Sequence, residues 1–300
     1  MKHYLVAGIT SMCVAVCAHA QGSNDTLAKI RAAGKVVIGT RDASAPLAYM
    51  GPSGNYMGYH VDVCKQIVAA IKTELKVADL PTEYVAVTSQ NRIPLLTNGT
   101  IDLECGSTNN NAGRKQQVAF APTTYVVNVR MMVRANSDIS SVTQLEGKKV
   151  VTTTGTTSVQ HLRKRAANAK YDVVSAKDHS ESFLMLESGR ADAFVMDDNI
   201  LAGLMAAAPN PAGYKIVGET LSEEPCAIMY RKDDPGFKKV VDGAVTAAMR
   251  SGDIERIYNK WFLQPIPPRN VSVNMPMSAA LKNAIANPND KPAEEYATAK

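Results

Sequence analysis

The chain has 300 residues and a formal net charge of +5, from 33 Lys or Arg and 28 Asp or Glu residues. Its basic residues are spread along the chain rather than clustered, which argues against nucleic-acid binding, although a mildly basic body favours anionic ligands. The length is enough for two domains of ordinary size. No run beyond the first twenty residues is long and apolar enough to predict a membrane span.

The first twenty residues predict a secretory signal. A short basic start precedes an apolar stretch at 4–18, and an Ala-His-Ala sequence typical of a cleavage site ends at Ala20. Lipid attachment at Cys17 is the alternative, but the residue before an acylated cysteine is usually small, and here it is Val16. We therefore expect export and cleavage after Ala20, which leaves 280 of the 300 residues.

Hydrophobic periodicity then predicts alternating strands and helices. Short apolar, β-branched runs predict strands, and apolar residues at helical spacing predict the helices between them. We expect a first series of strand, helix and strand at 35–40, 60–76 and 84–87, and a second series of strand, helix, strand, helix and strand at 149–152, 158–169, 171–175, 181–188 and 191–196. This alternation predicts an α/β protein with mainly parallel sheets.

Two extended apolar segments, 125–133 and 226–230, flank the second series and are candidate crossovers. After the second segment, Asp234 and Pro235 predict a helix start, with the aspartate as N-cap. Two α/β units joined by two strands can close on a ligand by hinge bending. The last stretch, 266–300, predicts a short helix near 281–285 and a tail along the surface.

Three cysteines follow the signal. Cys64 lies on an apolar stripe with helical spacing, which predicts a small core residue. We therefore expect Cys105 and Cys226 to form a disulfide bond in an oxidising compartment. No cysteine lies near a second cysteine or a histidine at the spacing of a metal site. Neither a metal nor an organic cofactor is expected.

The most informative stretch is TSQNRIPLLTNGTIDLECGSTNNNAGRK at 88–115. It predicts two strand-to-helix corners, which carry Ser89, Arg92, Ser107, Asn109 and Arg114. In open α/β sheets, ligands bind beyond the carboxyl ends of strands, where N–H groups at the next helix start favour anions. Because a guanidinium group can form two parallel hydrogen bonds to a carboxylate, two arginines there predict a ligand that carries one.

Several separate motifs occur in one order along the chain: GTRDASAP at 39–46, GTTS at 155–158, SAKDHSESF at 175–183, MDD at 196–198, YRKDDPGFKK at 230–239, KWF at 260–262 and PND at 288–290. Together with the run at 88–115, they resemble the periplasmic solute-binding proteins of amino-acid ABC transporters, in particular the glutamate/aspartate-binding group. The resemblance implies a type II periplasmic-binding-protein fold, with two α/β domains joined by two hinge strands. It implies a discontinuous first lobe, 21–125 and 227–300, and an inserted second lobe, 126–226.

The resemblance also implies ligand roles for single residues. Arg114 stands where the family binds the ligand's α-carboxylate, and Thr153 and Thr156 match ligand-contacting positions in the second lobe. Asp197 stands where the family binds the ammonium group, which leaves Asp198 as the cap of the next helix. A helix cap is the ordinary role of such an aspartate.

Four further positions match binding residues of the glutamate/aspartate group and imply a second ligand carboxylate: Arg41, Ser89, Arg92 and His179. A protonated His179 beside a carboxylate would be a donor with a raised pKa. Asn109 departs from the family pattern, which more often has threonine, so contact through its side chain or only its backbone stays open.

The resemblance implies a monomeric periplasmic protein that captures L-glutamate and/or L-aspartate by domain closure. It would deliver the ligand to an inner-membrane ABC permease without changing it chemically. An enzymatic alternative is a cyclohexadienyl-type dehydratase, with His179 or Glu104 as the acid–base group, although no nucleophile-and-base pair is evident. A sensory protein read by a receptor would need the same pocket.

Overall fold

The computed structural model describes residues 25–296, apart from the side chains of residues 166–169. The predicted signal at 1–20 lies outside the described residues. Among the helices that are described, none has the length and apolar character needed to cross a membrane.

Strands alternate with helices, as the periodicity predicts. The strands are β1 (Val36–Thr40), β2 (Ala43–Ser44), β3 (Ala48–Met50), β4 (Tyr56–Met57), β5 (Thr82–Ala86), β6 (Leu103–Glu104), β7 (Val118–Phe120), β8 (Tyr125–Arg134), β9 (Lys149–Thr153), β10 (Asp172–Ala176), β11 (Ala193–Asp197), β12 (Tyr214–Cys226) and β13 (Met229–Arg231). The α-helices are α1 (Thr26–Ala33), α2 (Tyr59–Leu75), α3 (Arg92–Thr97), α4 (Ala112–Lys115), α5 (Thr157–Ala169), α6 (His179–Glu187), α7 (Asp198–Ala207), α8 (Pro235–Arg250), α9 (Asp253–Tyr258), α10 (Ala279–Ala286) and α11 (Ala293–Tyr296).

Two mixed sheets organise the fold. The first has the strand order β5-β1-β6-β13-β7, in which β1 is parallel to β5 and β6, while β13 is antiparallel to β6 and β7. The second has the order β10-β9-β11-β8-β12, in which β9 is parallel to β10 and β11, while β8 is antiparallel to β11 and β12. The parallel pairs of β1 with β5 and of β9 with β10 and β11 come from the two predicted strand–helix series, and β6 adds a parallel strand outside them. The sheets are mixed rather than mainly parallel, because the predicted crossover at 125–133 is β8, an antiparallel strand of the second sheet.

The chain passes twice between the sheets. It enters the second sheet at Tyr125, where β8 begins, and returns between Cys226, the end of β12, and Met229, the start of β13. The predicted crossover at 226–230 is thus the junction of two strands. On this strand membership we propose that 126–226 form one lobe and that 21–125 with 227–300 form the other.

Helices cover each sheet and build separate cores. In the first lobe, α2 and α8 pack together, with Ile67 and Val241 among the buried residues. In the second lobe, neighbouring residues of β9 serve opposite faces of the sheet, because Val150 packs with Leu162 of α5 and Val151 packs in the cluster that contains Phe183 of α6.

The predicted disulfide between Cys105 and Cys226 is wrong. The bond joins Cys64 to Cys105, with their Cα atoms 6.3 Å apart, and Cys226 is a free, buried cysteine. Cys64 does lie on the buried face of α2, as its apolar stripe predicts. Burial alone does not distinguish a core thiol from a bonded one, however, and this face of α2 packs where β6 ends.

The end of the chain holds the loop that carries Asn109. The predicted helix near 281–285 is α10, and the chain then crosses back to the corner after β6. The Asn110 side-chain amide donates to the Asp290 carbonyl at 2.9 Å, and Lys115 Nζ donates to the same carbonyl at 2.7 Å. The surface tail therefore fixes one wall of the site described next.

Candidate functional site

The carboxyl ends of the parallel strands in both sheets face each other, and the predicted site residues lie between them. From the first lobe come residues that follow β1, β5 and β6, namely Arg41, Ser89, Arg92, Ser107, Asn109 and Arg114. From the second lobe come residues at the ends of β9, β10 and β11 or just after them, namely Thr153, Thr156, His179 and Asp197. The structure brings all of them to one cleft.

Arg41 lies at the centre of one end of this cleft. Its Nη1 donates to Ser89 Oγ at 3.0 Å and to Ser107 Oγ at 3.3 Å, and its Nη2 lies 3.4 Å from His179 Nε2 in the other lobe. Only 2% of Arg41 is exposed. Burial, and then the charge of Arg92, lower the pKa of Arg41 to about 10, so the group stays cationic at neutral pH.

The protein groups around His179 keep it neutral. It is fully buried, and burial together with the charges of Arg41 and Arg92 holds its pKa well below the ordinary value. Because Nε2 faces a guanidinium donor, the proton of the neutral ring lies on Nδ1, which then donates to Thr153 Oγ1 at 2.8 Å. The ring therefore serves as an acceptor towards Arg41.

Arg92 is equally buried, and part of its donor capacity is unused. Its Nη1 donates to the Ser107 carbonyl at 3.1 Å, whereas its Nε has no hydrogen-bond partner. Burial lowers the pKa of Arg92, although the nearby carboxylate of Glu104 opposes this shift. Two buried guanidinium groups thus share one end of the cleft.

Arg114 joins the two lobes at the other end. Its Nη1 donates to the Asn109 carbonyl at 2.6 Å, and its Nη2 donates across the cleft to the Gly155 carbonyl at 3.1 Å. The side chain of Asn111 caps α4 by accepting from the Arg114 N–H at 2.8 Å. This cap orients the guanidinium group towards the cleft from the first turn of a short helix.

The turn before α5 approaches the first lobe closely. Thr156 donates its hydroxyl to the Thr153 carbonyl at 2.7 Å, which tightens the turn around Gly155. Gly155 has a φ of +81°, and a Cβ there would lie 2.7 Å from the carbonyl carbon and oxygen of Ser89. Glycine is therefore required both by the backbone conformation and by the contact between the lobes.

The two aspartates at the end of β11 have different partners. Asp198 accepts from the Asn128 N–H at 3.2 Å, from the Asn128 side chain at 3.1 Å and from the Asn199 N–H at 2.9 Å. Asp197 occupies the N-cap position but makes no capping bond with its side chain, and only 1% of it is exposed. Its carboxylate instead faces the amide of Asn109 across the cleft, at 3.2 and 3.3 Å.

Three further residues complete this end of the cleft, and of these only Thr157 belongs to a sequence motif, GTTS at 155–158. Glu224 of β12 is buried, and its carboxylate accepts from Asn109 Nδ2 at 2.7 Å, from Thr157 Oγ1 at 2.6 Å and from His161 Nε2 at 2.6 Å. Glu224 and His161 carry no local signal, because their meeting depends on how β12 and α5 pack.

The two carboxylates beside Asn109 have opposite pKa shifts. Burial, followed by the charges of Glu224 and Asp198, raises the pKa of Asp197 to about 8. Burial alone would also raise the pKa of Glu224, but hydrogen bonds from His161 and Thr157 outweigh it, so that pKa is lowered. At neutral pH the pair therefore holds one proton, mainly on Asp197.

Within residues 25–296, no group of three or more His, Cys, Asp or Glu side chains is arranged to hold a metal ion. The cleft instead offers hydrogen-bond donors at one end and a mixture of donors and carboxylates at the other. Such a site can bind and orient a small, charged organic molecule.

Comparison with known proteins assigns a family. Residues 36–264 match the sequence model of the bacterial extracellular solute-binding proteins, family 3. The chain is 48% identical over 273 residues to the L-glutamate/L-aspartate-binding protein of Pseudomonas aeruginosa, with 90% of each chain covered. It is 44% identical over 274 residues to the glutamate/aspartate import solute-binding protein of Escherichia coli K12, with 91% of each covered.

A solved structure shows the same architecture. The chain resembles an ancestral arginine-binding protein bound to arginine, with a TM-score of 0.70 and 32% identity, over 76% of this chain and 98% of that one. The predicted type II periplasmic-binding-protein fold is therefore confirmed.

Proposed function

We propose that this chain, which belongs to family 3 of the bacterial extracellular solute-binding proteins, captures L-glutamate and/or L-aspartate in the periplasm. It delivers the ligand to an ABC importer in the inner membrane and acts as a monomer. The names of the relatives from Pseudomonas aeruginosa and Escherichia coli support the ligand class.

The observation that carries this proposal is the excess of guanidinium groups in the cleft. Arg41 and Arg92 are almost fully buried, and neither they nor Arg114 take part in the ion pairs formed among the described residues. A buried cation is costly unless it is paired. Arginines at both ends of one cleft therefore match a ligand with a carboxylate at each end.

The geometry supports a division of roles between the two ends. Arg114, beside the turn at Thr156, would bind the α-carboxylate, and Asp197 would bind the ammonium group. At the other end, Arg41 and Arg92 would bind the distal carboxylate, with Ser89, Ser107, Thr153 and His179 supplying or orienting donors. The unpartnered Nε of Arg92 leaves one of these donors free for the ligand.

Closure of the lobes would be the mechanism. Arg41 meets His179, Asn109 meets Asp197, and Arg114 meets Gly155, so each contact joins a residue of the first lobe to one of the second. A ligand that bridges the same groups favours the closed arrangement by its differential affinity for it. The permease would then recognise the closed form.

Calorimetric titration tests the proposal. Glutamate and aspartate should bind tightly, and glutamine and asparagine should bind much more weakly, because an amide leaves a buried guanidinium group only partly paired. Glutamine binding as tightly as glutamate would contradict the acidic-ligand proposal while leaving a solute-binding role in place.

The surroundings of His179 and Glu104, the acid–base candidates of the enzymatic alternative, also fit ligand binding without catalysis. His179 is held neutral between Arg41 and Thr153, and Glu104 accepts from Thr108 Oγ1 at 2.6 Å. Incubation with a cyclohexadienyl carboxylate substrate should therefore yield no product. A sensory role would use the same cleft. A neighbouring gene for a permease would indicate transport, and a neighbouring gene for a receptor would indicate sensing.

A further inference from the structure

Asn109 stands between two carboxylates with too few protons for the acceptors around it. Its Nδ2 lies within 3.3 Å of four oxygens, belonging to Thr157, Glu224 and both carboxylate positions of Asp197. A side-chain amide has two N–H donors. Thr157 already serves one oxygen of Glu224, so when Asp197 is ionised the two N–H groups must be shared among three carboxylate oxygens. When Asp197 is protonated, as it mainly is near neutral pH without a cation, its own O–H supplies the missing donor.

The acceptor of the same amide is also unused. Only 3% of Asn109 is exposed, and its Oδ1 has no hydrogen-bond partner. The reverse orientation of the amide would aim this oxygen at the ionised carboxylate of Glu224, which lies nearest at 2.7 Å, so turning the group does not satisfy it. The cluster of Asn109, Asp197 and Glu224 is therefore buried, and it is short of donors whenever Asp197 is ionised.

We propose that Asp197 and Glu224 together form the amine subsite, with Glu224 as a second acceptor that sets the preference for ligands carrying an ammonium group. This inference rests on the proposed amino-acid ligand and adds Glu224 to its recognition. An ammonium group brings three donors and one positive charge. It can satisfy Asp197, Glu224 and Asn109 Oδ1 at once, which a neutral group of the same size cannot do.

His161 helps to keep Glu224 ionised, as binding of an ammonium group requires. Its Nε2 lies 2.6 Å from one carboxylate oxygen of Glu224, while Thr157 and Asn109 use the other. These bonds favour the ionised form of Glu224, whereas Asp197 holds a proton near neutral pH. The subsite is thus ready to attract a cation before Asp197 itself is ionised.

The test compares L-glutamate with glutarate, which has both carboxylates and lacks the amine. The wild-type protein should bind glutamate more tightly in calorimetric titrations under one set of conditions. Glu224→Gln should weaken glutamate binding roughly thirtyfold or more, because a buried charge partner is lost. Its affinity for glutarate should stay within about twofold of the wild type or increase, since one negative charge is removed.

The matched control is Glu223→Gln. Glu223 precedes Glu224 in β12, so its side chain points to the opposite face of the sheet. The control should leave the affinities for both ligands unchanged. An equal loss of glutamate and glutarate binding in Glu224→Gln would show a structural role only, and an equal shift of the ligand preference in both variants would show a general field effect. Either result overturns the inference.

Asp197→Asn supplies a second test that does not require Glu224→Gln to fold. If Glu224 shares the ammonium group, this variant should still prefer glutamate over glutarate by roughly tenfold or more. Complete loss of the preference would assign the amine to Asp197 alone and overturn the inference. Wild-type protein that binds neither glutamate nor aspartate would contradict the proposed function itself, and the inference with it.

Discussion

In the proposed site, Arg114 is the residue that binds the ligand's α-carboxylate. Arg114→Ala removes charge-assisted hydrogen bonds worth about 1.5–3 kcal/mol, which corresponds to roughly ten- to hundredfold weaker glutamate binding. Calorimetry on the folded variant measures this loss. Arg163→Ala is the control, because Arg163 lines the same groove as Arg114 and is exposed. Near-normal affinity in a folded Arg114→Ala protein would contradict the assignment.

The buried carboxylate of Asp197, which is proposed to bind the ligand's ammonium group, is expected to lower the stability of the ligand-free protein. Its pKa is raised from 3.8 to about 8 in the folded protein. Between these two values the folded protein holds a proton that the unfolded chain has lost, so this group's contribution makes stability fall as pH rises across that window. Asp197→Asn removes the titration.

The expected result for Asp197→Asn is a higher melting temperature than wild type without added ligand. This difference should grow from about pH 4 to about pH 8, because the penalty that the variant lacks accumulates there. Thermal melts of both proteins at several pH values measure it. A difference that stays constant with pH would show that Asp197 titrates normally.

The sequence predicted the residues of the cleft better than their partners. Arg41, Arg92 and Arg114 were identifiable because each follows a strand and belongs to a recognisable motif. Glu224 and His161 were not, because the chain between them spans several elements and their contact arises only when β12 pairs with β8 and α5 covers the sheet.

The turn before α5 is one of the elements through which the lobes approach each other. Gly155→Ala would place a Cβ against the Ser89 carbonyl and should therefore weaken ligand binding by hindering closure. Gly147→Ala is the matched control, because Gly147 also has a positive φ, +69°, but nothing lies within 4 Å of its Cβ position. Both variants should lose stability from backbone strain. Only Gly155→Ala should lose affinity and the ligand-induced decrease in radius of gyration.

The disulfide between α2 and the end of β6 is the second prediction at this scale. Thiol counting on denatured, unreduced protein without residues 1–20, which contain Cys13 and Cys17, should find one free thiol, and peptide mapping should place it at Cys226. The bond closes a loop with a sequence separation of 41, for which chain entropy gives about 4 kcal/mol of stabilisation. Reduction should lower the free energy of unfolding by a similar amount. A free thiol at Cys64 instead would contradict the pairing.

Local periodicity predicted the longer helices and the parallel strands of the two series, but it missed short elements such as β2, β3 and β4, the helices α7 and α9, and the long strand β12. The residues around Gly218 and Glu219 are polar, and the register of β12 against β8 shifts between Val217 and Ser222. An edge strand with such an irregularity lacks the alternation that identifies a strand. By contrast, β1, β9 and β11 are mostly apolar, and the sheets bury them.

At the scale of the whole molecule, the cleft contains cations from one lobe and their partners from both. Arg41, Arg92 and Arg114 all come from the first lobe, whereas His179, Gly155 and Asp197 come from the second. Neither lobe alone surrounds a ligand on all sides. Ligand binding and closure should therefore be a single thermodynamic event that stabilises the entire fold.

Thermal melting in the presence of ligand tests this coupling together with selectivity. At a ligand concentration about 100 times Kd, glutamate or aspartate should add about 2.7 kcal/mol of stability, which raises the melting temperature by at least a few degrees. Glutamine and asparagine at equal concentration should raise it much less, because they leave a buried guanidinium group poorly paired. Glutamate and aspartate differ by one methylene, worth only about 1–3 kcal/mol, so both should stabilise the protein. A rise with the amides as large as with the acids would mean that the arginine-rich end of the cleft does not face the ligand's distal group.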